Sequence, residues 1–92
     1  MSASRYELVV SPTARRQLAE QLPESVAFAA YEFIIGPLLD NPNRVGKQLR
    51  PPLDDRHSAR RGTYRVIYRI EEKRRTVTVV GVFPRPDGYR GG

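Results

Sequence analysis

Hydrophobic positions recur with a helical period in the first half of the chain and alternate in the second. In RYELVVSP, Tyr6, Leu8 and Val10 alternate against Arg5, Glu7 and Val9, which predicts a strand. Ser11-Pro12 then reads as a helix start, an N-cap hydroxyl followed by a proline in the first turn. Ala14, Leu18 and Leu22 follow at a spacing of four, with Arg15, Arg16 and Glu20 off that stripe, so the first helix is short and amphipathic. Pro23 ends it and can open the next. Residues 24–35 form a second, more apolar helix, which Gly36-Pro37 must kink or end because proline lacks the N–H.

After the turn cluster DNPN the character changes. VGKQL, HSARRG, GTYRVIYRI and RTVTVVGVF are strand-like, with EEKR (Glu71 to Arg74) as the hairpin between the last two. The predicted order is β-α-α-β-β-β in a single domain over residues 1–92, with 1–4 and 90–92 frayed. Runs of helix followed by runs of strand argue an α+β fold, a mainly antiparallel sheet with two helices packed on one face. In RRGTYRVIYRI, Tyr64, Val66, Tyr68 and Ile70 would lie under those helices. Arg65 and Arg69 would lie on the opposite, uncovered face, where arginine could line a phosphate cradle or merely lie over apolar neighbours.

Charge sharpens that picture. The net charge of +6 points to an anionic partner. Fourteen of the sixteen basic residues are arginine, and only Lys47 and Lys73 are lysine. A surface that was merely solvated would mix in more lysine, whereas the planar guanidinium grips phosphate or carboxylate with two parallel bonds. Cysteine is absent, which excludes disulfides, thiolate metal sites and thiol nucleophiles. One histidine and carboxylates in adjacent pairs (Asp54-Asp55, Glu71-Glu72) make a metal site unexpected, and no cofactor motif is present. Without an apolar span or a signal-like start, the chain reads as cytoplasmic, with no membrane partner.

Arginine, lysine, tyrosine and His57 remain as chemistry-bearing groups. Such a set can cut RNA, because the ribose 2′-OH is the nucleophile and the protein need only orient it, stabilise the phosphorane and move protons. Arginine suits the second task but is a poor base, with roughly one side chain in 10⁵ or fewer neutral at pH 7. His57 is the one side chain whose ordinary pKa suits general acid–base work, although a lone histidine in a polar loop is more often a bystander.

The ordered set NPNRVGKQL, SARRGTYRVIYRI and VFPRPDGY resembles the RelE-type toxins of the RelE/ParE toxin–antitoxin superfamily, nearly from end to end of the chain. The resemblance implies a microbial-RNase-like fold and a type II toxin that cleaves mRNA in the ribosomal A site without metal. A cognate RelB-like antitoxin would neutralise it, and operator DNA would be met only through that antitoxin. Carried onto this sequence, it makes Arg65 the phosphate and transition-state stabiliser, Arg85 a proton donor or charge stabiliser, and Tyr89 the residue that orients or stacks the nucleotide. Lys47, Arg50, Arg56, Arg60 and Arg61 would bind RNA. Pro84 stands where many relatives have histidine, and Arg56 and Ser58 where some carry active lysines, which leaves the general base open. Two alternatives stay alive: a ParE-like poison of DNA gyrase, and a non-catalytic co-repressor acting with its antitoxin.

Overall fold

The computed structural model describes residues 5–84. Its elements are β1 (Glu7–Val10), α1 (Pro12–Arg16), α2 (Glu24–Phe33), α3 (Pro42–Val45), β2 (Lys47–Gln48), β3 (His57–Arg61), β4 (Tyr64–Glu71) and β5 (Thr76–Pro84). The five strands form one sheet in the order β1-β5-β4-β3-β2. β1 runs parallel to β5, and every other pairing is antiparallel. This is the expected α+β architecture with one more helix than the order β-α-α-β-β-β, and with the strand-like VGKQL segment forming a short strand of its own.

Each difference has a local cause. Pro37 does not end the second helix. The chain continues past Phe33 as a π-helical segment, Ile34–Leu38, with Pro37 inside it. The wider turn takes in a residue without an N–H, and the Pro37 carbonyl still accepts from Asn41 N–H at 3.1 Å. α1 likewise widens into a π-helical segment, Gln17–Gln21, before Leu22 turns extended. The NPN cluster makes more than a turn. Asn41 precedes a proline suited to a first helical turn, and its carbonyl accepts from both Arg44 N–H and Val45 N–H, so a single turn of helix forms there.

The core lies between the helices and one sheet face. Val66, Tyr68, Val77, Val79 and Val82 from the two central strands are buried with Ala30, Phe33, Ile34 and Leu38 from the helices. Tyr68 is the largest of the fully buried side chains. Its hydroxyl donates to the Pro42 carbonyl at 2.6 Å, which ties β4 to α3. A Cβ on Gly46 would run into that hydroxyl and lie 2.9 Å from the Ser58 carbonyl, so glycine is what lets β2 approach β3. One residue after Pro42 in α3, Asn43 reaches just past the end of β4, where Glu72 accepts from its amide at 2.9 Å and from the Tyr6 hydroxyl at 2.8 Å. These two bonds, the Asn43 one first, hold its carboxyl below the ordinary value.

β5 carries an irregularity that decides which residues face outward. Ile67 pairs with Gly81 and Tyr68 with Val79, so Val80 is an extra residue, a β-bulge. Strict alternation from Val77 and Val79 would place Val82 outward and Phe83 inward. The extra residue reverses this, burying Val82 and exposing Phe83. Two residues from the first helical segment hold the bulge. Ser11 Oγ accepts from Ala14 N–H at 3.1 Å as the helix cap and donates to the Val80 carbonyl at 2.9 Å. Gln17 is buried at 8% exposure, and its side-chain carbonyl accepts from Val82 N–H at 2.7 Å.

Candidate nucleic-acid interface

The face of the sheet turned away from the helices is polarised by register. At one end Glu71 pairs with Thr76, and Thr76 with Glu7. At the other end Arg60 pairs with Arg65, and Arg65 with Phe83. Directly opposed side chains on one face have Cβ atoms about 4.5–5.5 Å apart. Two guanidinium groups and an aromatic ring therefore make one row across three strands. In the adjacent row Lys47 pairs with Ser58, and Ser58 with Ile67.

Beside these rows the backbone of α3 and β2 encloses a cleft of about 380 Å³, lined by Arg44, Val45, Gly46, Lys47, Ser58 and Arg60. Three cations and a hydroxyl line it, and no carboxylate does among the described residues. The ion pairs Arg5–Asp40, at 2.9 Å, and Arg56–Asp55, at 3.7 Å, use none of them. Like charges this close repel, and the arrangement is stabilised by an anion that enters among them. A phosphodiester fits that chemistry, because guanidinium groups offer paired donors and the serine and lysine supply others.

The candidates named from sequence separate into three groups. Arg65, Arg60 and Lys47 come together on the outer face. Arg50 is exposed in the loop after β2, and Arg56 closes that loop, where its carbonyl accepts from Leu49 N–H at 2.9 Å. His57 and Arg61 lie on the helix face. The Arg61 guanidinium sits 4.7 Å from the centre of the Phe33 ring, and the His57 ring stacks on Tyr68 with centroids 5.5 Å apart. Burial lowers the His57 pKa, and its Nδ1 has no hydrogen-bond partner among the described residues. The same burial pushes the Tyr68 phenol up to about 12. His57 and Arg65 thus stand on opposite sides of the sheet. Arg85 and Tyr89 lie outside the described residues.

Three residues of this face carry no role in the sequence reading: Arg44, Ser58 as a cleft wall, and Phe83. Arg44 is hidden in what looks like a turn. Phe83 is hidden because simple alternation turns it inward, although Gly81 within a strand pattern is a bulge signal that reverses it.

Among the described residues no three His, Cys, Asp or Glu side chains gather to hold a metal ion, and no helix is long and apolar enough to cross a membrane. No protein-family model matches the chain. It is 46% identical over 85 residues to Toxin RelE of Mycobacterium tuberculosis, covering 92% of this chain and 87% of that one. It is also 46% identical over 85 residues to Toxin RelG of the same organism, covering 92% and 97%. Its fold matches a chain of the toxin–antitoxin complex RelBE2 from M. tuberculosis with a TM-score of 0.84 and 44% identity, over 88% of this chain and 99% of that one.

Proposed function

The chain belongs to the RelE toxins of toxin–antitoxin systems, and from that premise we propose that it is a ribosome-dependent mRNA endonuclease held in check by a RelB-like antitoxin. The observation that supports this most is the Arg60–Arg65 pair on the sheet face turned away from the helices, next to the Arg44, Lys47 and Ser58 cleft. The scissile phosphate would sit against Arg65, with flanking phosphates toward Arg60 and Lys47. The neighbouring ribose 2′-OH loses its proton and attacks phosphorus, and charge builds on the equatorial phosphorane oxygens, where the guanidinium groups stabilise it more than in the ground state. The bond to the 5′-oxygen of the next nucleotide breaks as that oxygen takes up a proton, leaving a 2′,3′-cyclic phosphate and a 5′-hydroxyl.

Proton transfer falls outside this row of permanent cations. Arg85 as proton donor and Tyr89 as nucleotide orienter complete the proposed site. The ribosome would supply the rest, by contributing RNA groups near the 2′-OH. A target in the ribosomal A site places the protein in the cytoplasm. An acidic antitoxin segment laid over the arginine row would neutralise it, because uncovered fixed charge binds RNA indiscriminately.

The test is to add the purified protein to ribosomes stalled on a defined mRNA and to map the new 5′ ends. Wild type should cut in the A-site codon, and Arg65→Ala should not. Uncut mRNA together with accumulating gyrase–DNA cleavage complexes would replace this reading with gyrase poisoning. Uncut mRNA without gyrase complexes would leave the co-repressor role.

A further inference from the structure

We propose that Phe83 is a nucleobase-stacking platform, on which one base of a single-stranded RNA lies while its neighbouring phosphates meet Arg65 and Arg60. The inference rests on the RNA-directed reading above and adds a contact that this reading does not require.

Phe83 is 41% exposed; Phe28 and Tyr31 are more so, but of these three rings Phe83 alone lies on the sheet beside arginine. Its position is not an accident of a loose loop. It lies within β5, paired to Arg65, and faces outward only because Val80 is an extra residue in the strand. A bulge held by Ser11 and Gln17 is thus spent on turning an aromatic ring out of the core and into a row of cations.

The ring also has the attitude of a platform. A Cβ on Gly81 would fall 2.6 Å from Phe83 Cε2 and 2.7 Å from Cζ. The phenyl therefore occupies the space that a side chain at position 81 would fill, close against the bare backbone of Gly81. Any larger residue at 81 would prop it up. Strands lie about 4.8 Å apart, so the row from Phe83 through Arg65 to Arg60 spans about 10 Å, room for one nucleotide with its phosphate. Aromatic rings interleaved with cations on an open sheet face are how proteins hold unpaired bases, since every base offers a π face and the backbone offers charge. A duplex would present no base face to the ring.

The chain has no tryptophan, so Phe83→Trp installs a single indole as a reporter. The probes are a short 2′-O-methyl RNA, which lacks the nucleophile, and the same backbone with abasic positions. The base-bearing RNA should quench the indole, and the abasic strand should not. Phe83→Leu should bind the base-bearing RNA about five-fold or more weaker than wild type. It should bind the abasic strand equally well and keep the same salt slope, because no phosphate contact is removed. Matched urea midpoints for wild type and both variants separate these effects from damage to the fold. Equal affinity of Phe83→Leu and wild type for the base-bearing RNA would overturn the proposal. So would an indole that responds to a protein partner and never to RNA. Quenching without any mRNA cleavage would support the platform while removing the nuclease reading. Cleavage with a Phe83→Leu variant indistinguishable in RNA binding would remove the platform alone.

Discussion

Gln17 and Val82, 65 residues apart, are joined by one buried hydrogen bond in which the Val82 N–H donates to the Gln17 side-chain carbonyl at 2.7 Å. The pairing of β1 with β5 ends at Val10 and Val79, and beyond it a helix side chain supplies the partner for this N–H. Gln17→Leu fills the same volume but strands the donor, which should cost about 1–3 kcal/mol. Urea denaturation measures the loss, and faster hydrogen exchange at the Val82 amide locates it. An unchanged midpoint would show that a water or another group satisfies the bulge.

Arg60 and Arg65 face each other across β3 and β4, and like charges directly opposed weaken a sheet. Arg65→Thr, which keeps a good strand former, should leave stability unchanged or raise it by a few tenths of a kcal/mol. The same change should lower ribosomal mRNA cleavage by about 10²–10³. Stability and activity measured on one preparation test the pair of effects. A variant that loses both together would mean that the arginine holds the fold rather than a phosphate.

His57 should matter to stability in acid and not to catalysis. Its folded pKa is lowered by burial from 6.5, so its contribution is whole above 6.5 and is lost as the pH falls through the depressed folded value. His57→Phe keeps a ring on Tyr68 and cannot titrate, so it should lose less stability than wild type when acidified through this range. Cleavage by His57→Phe should keep the wild-type rate and pH profile. A lost acidic or basic limb in that profile would return the imidazole to the site.

Tyr68 and Gly46 share one small space. Tyr68→Phe removes the donor to the Pro42 carbonyl, for about 1–3 kcal/mol if that carbonyl is left unpaired. Gly46→Ala drives a Cβ into the Tyr68 hydroxyl and toward the Ser58 carbonyl, overpacking worth about 1–3 kcal/mol. The double variant should be less destabilised than the sum, because removing the hydroxyl removes the nearest obstruction. Additive losses in a double-mutant cycle would place the two residues in independent surroundings.

The alternation in β4 was legible because that strand is long and central. Tyr64, Val66 and Tyr68 are buried as the period requires, and Arg65 and Arg69 take the other side. Ser11-Pro12 and the Glu71–Arg74 hairpin were legible because caps and turns are local. What a period cannot carry is register. HSARR is too short to show its own phase, and only its pairing with β4 assigns His57 and Arg61 to the helix side. A single inserted residue at Val80 reverses the end of β5 in the same hidden way. Pro37 misleads for a different reason, since a π-helical turn tolerates what an α-helical one does not.

The strand order has a consequence for assembly. β1 pairs with β5 alone, so the first strand made has no partner until the last one exists. Before then β2, β3 and β4 can meet through short connections, while Glu7–Val10 waits with its backbone groups open. This contact closes the longest loop in the sheet and is the slowest to find by chain diffusion. Until Thr76–Pro84 has been made, the sheet lacks the strand that joins β1 to β4. Any partner that meets the nascent chain finds an open strand edge first and the arginine row second.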